Sequence, residues 1–297
     1  MTTSSDAAAQ IDRANASGRT PVVFIHGLWL LSSSWNPWLE LFEQAGYAAI
    51  APGWPDDPET VLEANMQPEL FAGKSVGQIS DHYAAVIGEL ERKPAVIGHS
   101  FGGLITQIIA GRGLSSASVA IDPAPFRGVL SQRISVLRAT WPVLKNPANR
   151  NRAVSLTYEQ FRFGFANAVD EGEAKELYQL FAVPGAGRPV VQAATSNLNP
   201  WSEAKVDRKN VERGPLLIIS GESDHTVPWA IANAEYKKQR RNADVTEIAG
   251  IPNRGHSLTI DDGWHDVATT ALDFVRRFSS PAPADISRSR SAELQVD

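Results

Sequence analysis

Residues 95–110 read AVIGHSFGGLITQIIA, and this stretch decides the fold. Its first three residues form a strand-like apolar run, and its last seven are apolar and compatible with a helix. Between the two, Gly98 and Gly102 stand two residues before and two residues after Ser100. A serine at the tip of a tight strand-turn-helix connection needs small residues at both positions, because a Cβ atom there would collide with neighbouring backbone. The stretch therefore predicts a parallel α/β fold that exposes the Ser100 hydroxyl at the carboxyl edge of its sheet.

Further short apolar runs accompany this one, with longer helix-like stretches between them. The runs are Pro21–Ile25, Ala48–Ala51, Ser118–Ile121, Leu216–Ser220 and Val245–Ile248. Their near-continuous apolarity indicates strands that are covered on both faces. Val76–Leu90 and Asp266–Phe278 carry apolar residues at helical spacing. We therefore expect a mostly parallel sheet with helices on both sides.

The strand pattern stops between residues 126 and 210, where helical patterns and many aromatic residues follow one another. We predict that 126–210 is an inserted helical cap, and that 19–125 and 211–278 together form the core domain. Seven of the basic residues of the cap are expected to form a solvated surface, namely Arg127, Arg133, Arg138, Lys145, Arg150, Arg152 and Arg162. The alternative is that one of them, such as Arg133 or Arg162, faces a pocket and favours a substrate with a carboxylate. Residues 1–18 and 279–297 have little to bury, so both ends are predicted to be disordered.

The composition excludes several classes of protein. Of the 297 residues, 43% are hydrophobic and 21% are charged, as is usual for a globular protein. The net charge of −5 argues against a nucleic-acid partner, which would require clustered Lys and Arg, and the lack of cysteine excludes disulfides and a cysteine nucleophile. Neither a secretion signal nor a membrane span is evident, so we expect a cytoplasmic protein without a membrane partner. A homodimer is compatible with the sequence.

A serine hydroxyl becomes a good nucleophile only when a base takes its proton, and a carboxylate must hold that base. Asp224 follows the Leu216–Ser220 run, and His256 follows the Val245–Ile248 run. Both therefore fall at the carboxyl edge on which Ser100 is expected. The chain order of serine, acid and histidine predicts Ser100, Asp224 and His256 as the catalytic residues.

Two rivals stay open for these roles. His225 is adjacent to Asp224, although neighbours in sequence rarely orient each other's side chains well. Asp122 stands at the end of the Ser118–Ile121 run, where a carboxylate can also reach the histidine.

Acyl transfer also needs backbone N–H groups that bind an oxyanion. Phe101, directly after the nucleophile, supplies one candidate donor. Leu28, in the loop after the first strand, supplies the second, with Trp29 as the alternative. Trp29, His99 and Phe126 are candidate walls of a substrate pocket.

Four motifs in order, HGLW at 26–29, GHSFGG at 98–103, GESDHTVP at 221–228 and GHS at 255–257, resemble those of the α/β-hydrolase superfamily. The resemblance extends from about Pro21 to Phe278. It implies an α/β-hydrolase fold with an eight-stranded, mostly parallel sheet flanked by helices, and an inserted cap after the sixth strand. It also implies that the chemistry uses no cofactor and no metal.

The expected activity is hydrolysis of carboxylic esters of small to medium size through an acyl-enzyme, with a small-molecule ester as substrate. The alternatives at the same three residues are hydrolysis of a lactone or a carbon–carbon bond, and a cofactor-free perhydrolase or haloperoxidase activity. A non-catalytic receptor is disfavoured, because Ser100, Asp224 and His256 form a complete catalytic set.

Overall fold

A computed structural model describes residues 5–130 and 133–281 of the chain. Its strands are β1 (Pro21–Ile25), β2 (Ala48–Ile50), β3 (Ala95–His99), β4 (Ala117–Ile121), β5 (Ala153–Val154), β6 (Gly185–Ala186), β7 (Leu216–Gly221) and β8 (Thr246–Ile251). Six of these form one parallel sheet in the order β2-β1-β3-β4-β7-β8, and β5 pairs with β6 in a separate antiparallel ribbon. The predicted parallel α/β architecture is confirmed.

The helices are α1 (Ser5–Ser17), α2 (Asn36–Gln44), α3 (Val61–Met66), α4 (Val76–Gly88), α5 (Phe101–Gly111), α6 (Ile134–Leu144), α7 (Tyr158–Gly164), α8 (Glu171–Phe181), α9 (Gly187–Thr195), α10 (Trp229–Gln239) and α11 (Trp264–Phe278). Alternate residues of β1 belong to two hydrophobic clusters. Val23 and Ile25 pack with α4 and α5, whereas Val22 and Phe24 pack with α2 and α11. Helices therefore cover both faces, as the apolar strands indicated.

The N-terminal segment differs from the prediction of disorder over residues 1–18. Ala7, Ile11 and Ala14 are buried on one side of α1, and the backbone N–H of Ala51 donates to Gln10 Oε1 at 2.8 Å. Ala51 directly follows the edge strand β2, so α1 covers this edge of the sheet. Ala7, Ile11 and Ala14 are spaced so that they share one side of α1, and their burial stabilises the helix against the sheet.

The strand count and the position of the cap are also corrected. The resemblance implies eight strands in the main sheet, but the described residues form six, because helix α1 and not further strands precedes β1. The cap accordingly follows the fourth strand of the sheet instead of the sixth. It contains α6, α7, α8 and α9, together with the short β5–β6 ribbon that the sequence pattern did not show. The boundaries 126–210 stay a prediction.

Most of the tail predicted over 279–297 lies outside the described residues, which end at 281. Among the helices of the described part, none is both long and apolar enough to cross a membrane.

Candidate active site

Ser100 occupies a strained turn between β3 and α5. Its φ of +57° lies in the left-handed region, and its N–H donates to Ile121 O at 2.9 Å. A Cβ atom at Gly98 would lie 2.2 Å from Gly102 O, and one at Gly102 would lie 2.0 Å from Ile25 O. Only glycine fits at either position, which is the spacing requirement inferred from the sequence.

The structure brings Ser100, His256 and Asp224 into one hydrogen-bonded relay. His256 Nδ1 donates to Asp224 Oδ2 at 2.6 Å, so its Nε2 is free to accept from the Ser100 hydroxyl at 2.9 Å. The other oxygen of Asp224, Oδ1, accepts the backbone N–H groups of Thr226 and Val227 at 2.6 and 2.9 Å. The carboxylate is therefore fixed on both sides, and the imidazole has one tautomer and one orientation.

Asp122, the rival acid, lies beside the same histidine. Its Oδ1 accepts the N–H of Gly221 at 2.9 Å, and its backbone φ is +39°. Burial, and next the charge of Asp224, raise the pKa of Asp122 well above its usual range. The protonated form of Asp122 is therefore favoured by its surroundings, and Asp224 is the carboxyl group that accepts His256 Nδ1–H.

A third buried side chain, His99, packs against His256. The two imidazole rings of His99 and His256 are 4.6 Å apart, and burial, then the neighbouring His256, lower the pKa of His99 well below its usual value. His99 is therefore a neutral support for the base. His99 was expected as a wall of the substrate pocket, but its side chain is fully buried against His256.

His99, Asp122 and His256 each place one possible metal-ligand atom within 4.8 Å of the others. Both ring nitrogens of His256 are already engaged, however, by Asp224 and Ser100. This arrangement therefore suits hydrogen bonding around a base better than coordination of a metal ion.

The loop after β1 lies against the nucleophile, because a Cβ atom at Gly27 would be 2.8 Å from Ser100 Cβ. His26 Nδ1 donates to Gly27 O at 2.9 Å. The peptide unit is planar and trans, so fixing this carbonyl also fixes the N–H of Leu28 in the opposite direction. Phe101 is the first residue of α5, and its N–H has no acceptor within the helix. Both candidate oxyanion donors therefore border Ser100.

The cap covers this arrangement. The Phe165 ring lies 4.9 Å from the His256 ring and 6.1 Å from the Trp29 ring, and Phe165 O accepts the N–H of Ser257 at 3.0 Å. Trp29 Nε1 donates to Val154 O in β5 at 2.9 Å. Ser100 is only 4% exposed as a result. Phe165 of the cap therefore lies over the pair formed by Ser100 and His256.

The remaining candidates lie elsewhere. His225 Nδ1 donates to Phe163 O on the cap at 3.0 Å. His256, and not this rival base, is therefore the histidine that pairs with Asp224 and Ser100. Phe126 is fully buried in the core, where its N–H donates to Glu235 at 3.3 Å. Trp29 is the predicted wall residue that contacts the cap, through the Phe165 ring and Val154 O.

Ser100 lines neither of two surface cavities formed by the described residues. One, of about 910 Å³, adjoins β2 and is lined by Trp54, Asp57 and Lys74 among others. The second, of about 620 Å³, is lined by Arg133, Asn167 and Asp224 among others. The second cavity is lined by residues of both the core and the cap, and it includes Asp224.

Sequence reasoning missed the role of Phe165, which was one of many aromatic residues in the cap. Its position on His256 depends on where the segment after α7 returns to the core. The pair His26 and Asp57, whose Nε2 and Oδ2 atoms are 3.1 Å apart, was missed for the same reason, since the two residues are far apart in sequence.

The family model described as "Alpha/beta hydrolase family" matches residues 22–270 of the chain. No curated protein matches this chain in sequence. A monoacylglycerol lipase from Paleococcus ferrophilus has a similar structure, with a TM-score of 0.61 and 19% identity over 88% of this chain and 98% of that one.

A pyrethroid hydrolase from Sphingobium faniae JZ-2 gives a TM-score of 0.59 and 17% identity over 90% of this chain and 99% of that one. A methylesterase from Arabidopsis gives a TM-score of 0.60 and 14% identity over 87% of this chain and 99% of that one. At these identities the likeness concerns the fold.

Proposed function

The chain belongs to the alpha/beta hydrolase family, and from this premise we propose that it is a serine hydrolase that cleaves carboxylic esters of small to medium size. One observation carries the proposal, namely the buried relay from Ser100 Oγ through His256 to Asp224. The lipase, the pyrethroid hydrolase and the methylesterase with similar structures support the proposal, because their names describe hydrolytic enzymes.

The reaction begins when Ser100 Oγ attacks the ester carbonyl and His256 Nε2 takes the hydroxyl proton. The N–H groups of Leu28 and Phe101 bind the tetrahedral oxyanion. When the intermediate collapses, the C–O bond to the leaving alcohol breaks and His256 returns the proton to that alcohol. Asp224 stabilises the imidazolium that forms in between.

Water then replaces the alcohol. His256 removes a proton from the water as its oxygen attacks the acyl-enzyme carbonyl, and a second tetrahedral intermediate forms. Its collapse breaks the bond to Ser100 Oγ, which regains a proton from His256. The carboxylic acid leaves and the free enzyme is restored without any further reagent.

The test compares wild type with Ser100→Ala on p-nitrophenyl esters from acetate to laurate. We expect turnover by wild type and a loss of about 10³-fold or more in Ser100→Ala. Ser155→Ala, which removes an exposed hydroxyl in the cap, should keep wild-type turnover. A fluorophosphonate probe should label wild type and Ser155→Ala but not Ser100→Ala.

Labelling of Ser100 without hydrolysis of any ester would show that the nucleophile is active and that the ester assignment is wrong. Mass spectrometry of products from lactones and β-diketones would then identify the bond that is cleaved. Failure of both labelling and turnover would overturn the serine hydrolase proposal itself.

A further inference from the structure

Helix α6 of the cap exposes an apolar face. Ile134, Leu137 and Trp141 are 84%, 53% and 54% exposed, and their spacing of three and four residues puts them on one side of the helix. Pro142 and Val143, on the other side, are buried. Single exposed apolar residues are ordinary on protein surfaces, but a row of three on one helix is a candidate contact surface.

The sequence that contains this face is basic, in contrast to the protein as a whole. Residues 123–158 contain six Lys or Arg and no Asp or Glu, in a chain of net charge −5. Arg138 and Lys145 lie on the same side of α6 as the apolar row and are exposed. A 3-10 helix, Pro147–Asn151, packs against α6 and adds the exposed Arg150.

We propose that the outer face of α6, formed by Ile134, Leu137, Arg138, Trp141 and Lys145, docks on an anionic lipid bilayer. Aliphatic and indole side chains enter the boundary between head groups and acyl chains, while nearby cations pair with anionic head groups. An exposed row of apolar residues bordered by cations suits both layers of such a surface.

The sequence expectation of no membrane partner rested on the lack of a spanning segment. A helix that lies on the bilayer needs no span, so the proposal departs from that expectation. The proposal also does not depend on the reaction at Ser100.

The docking face is connected to the catalytic residues through packed elements of the cap. Helix α6 packs against α7, and a Cβ atom at Gly164 would lie 3.8 Å from Ala139 Cβ. Gly164 ends α7, and the next residue, Phe165, covers His256. A bilayer that holds α6 would therefore contact the same cap that closes over Ser100, which suits a substrate taken from a membrane surface.

The experiment measures flotation of the full chain with vesicles of phosphatidylcholine alone or with roughly 30% phosphatidylglycerol. We expect binding to the anionic vesicles, weaker binding to phosphatidylcholine, and release by salt. A variant with Ile134→Ser, Leu137→Ser and Trp141→Ser should lose about 10-fold or more in affinity. A variant with Arg138→Gln and Lys145→Gln should lose about as much, and only on the anionic vesicles.

A matched control is available on α3, where Leu62 and Met66 are 71% and 72% exposed and one turn apart. Their exposed neighbours Glu59, Glu63 and Glu69 make that face acidic. Leu62→Ser with Met66→Ser should therefore bind vesicles as wild type does. Arg92→Gln with Lys93→Gln serves as the matched control for charge, because both residues are exposed in the turn before β3.

Ser100→Ala should bind vesicles as tightly as wild type, which separates docking from catalysis. The proposal is overturned if anionic vesicles bind no better than neutral ones, or if the α3 control loses as much affinity as the α6 variant. It is also overturned if wild type is a dimer by light scattering that the α6 variant converts to a monomer, since the face would then join two copies. Equal Tm values for all variants establish that each one is folded.

Discussion

Two carboxyl groups lie beside His256, and their surroundings give them different tasks. Asp224 accepts His256 Nδ1–H and two backbone N–H groups, whereas burial raises the pKa of Asp122 well above its usual range. We expect Asp224→Asn to lower kcat by about 10³–10⁴-fold, the size of effect seen when the acid of a serine triad becomes an amide. Asp122→Asn should keep kcat within about threefold, because a neutral amide replaces a neutral acid. The measurement is kcat on the best p-nitrophenyl ester.

Each of the two variants is the control for the other, since both replace one buried oxygen by an NH₂ group. A larger loss in Asp122→Asn than in Asp224→Asn would assign the acid role to Asp122. Thermal unfolding of both variants separates a loss of chemistry from a loss of folding.

Chain order was enough to predict Ser100, Asp224 and His256, because each follows a strand and parallel strands end at one edge. The state of Asp122 could not be predicted in this way. It depends on β4 and β7 being neighbours in the sheet, which places Asp122 beside Gly221 and Asp224. Strand order is a property of long-range packing that no local pattern records.

Among the elements, the segment from α7 to Phe165 covers the candidate catalytic residues, because the Phe165 ring lies 4.9 Å from the His256 ring. We expect Phe165→Leu to open space beside His256 and to shift the best p-nitrophenyl ester toward longer acyl chains, with an increase of about 3–10-fold in their kcat/KM. Phe163→Leu is the matched control, because Phe163 packs on His225 and Arg138 and not on His256.

The measurement is the ratio of kcat/KM for laurate and acetate esters. An unchanged ratio in Phe165→Leu, or the same change in Phe163→Leu, would show that Phe165 does not border the acyl group.

Local pattern predicted elements well where the signal was strong. Helix α4 was predicted within Val76–Leu90 and spans Val76–Gly88, with Ser75 Oγ accepting the N–H of Gln78 at its start. Helix α1 was missed because an Ala-rich segment hides its small apolar stripe. The β5–β6 ribbon has two residues in each strand, which is too short for an alternating pattern to appear.

At the scale of the whole molecule, Glu235 of α10 is a fully buried ionisable side chain that lies outside the candidate active site. It is fully buried where α10, α5 and the root of the cap meet, and it accepts Gln107 Nε2–H at 2.9 Å and Phe126 N–H at 3.3 Å. Gln107 Oε1 in turn accepts Gln239 Nε2–H at 2.9 Å. Burial raises the pKa of Glu235 well above its usual value, so the folded protein keeps this proton when the unfolded chain has released it.

The sign of the resulting pH dependence follows from proton counting. Above the ordinary pKa of glutamate the unfolded chain binds fewer protons at this site than the folded protein does, so stability falls as pH rises toward the raised pKa. Glu235→Gln removes that loss, and the side-chain amides of Gln107 and Gln239 can reverse to satisfy the new NH₂ group. We expect the Tm of Glu235→Gln to exceed that of wild type by a few degrees at pH 8, and the difference to shrink toward pH 4. Glu176→Gln, the same change at an exposed site on α8, should show no such trend. A Tm difference that stayed constant from pH 4 to pH 8 would show that Glu235 is not protonated in the folded protein.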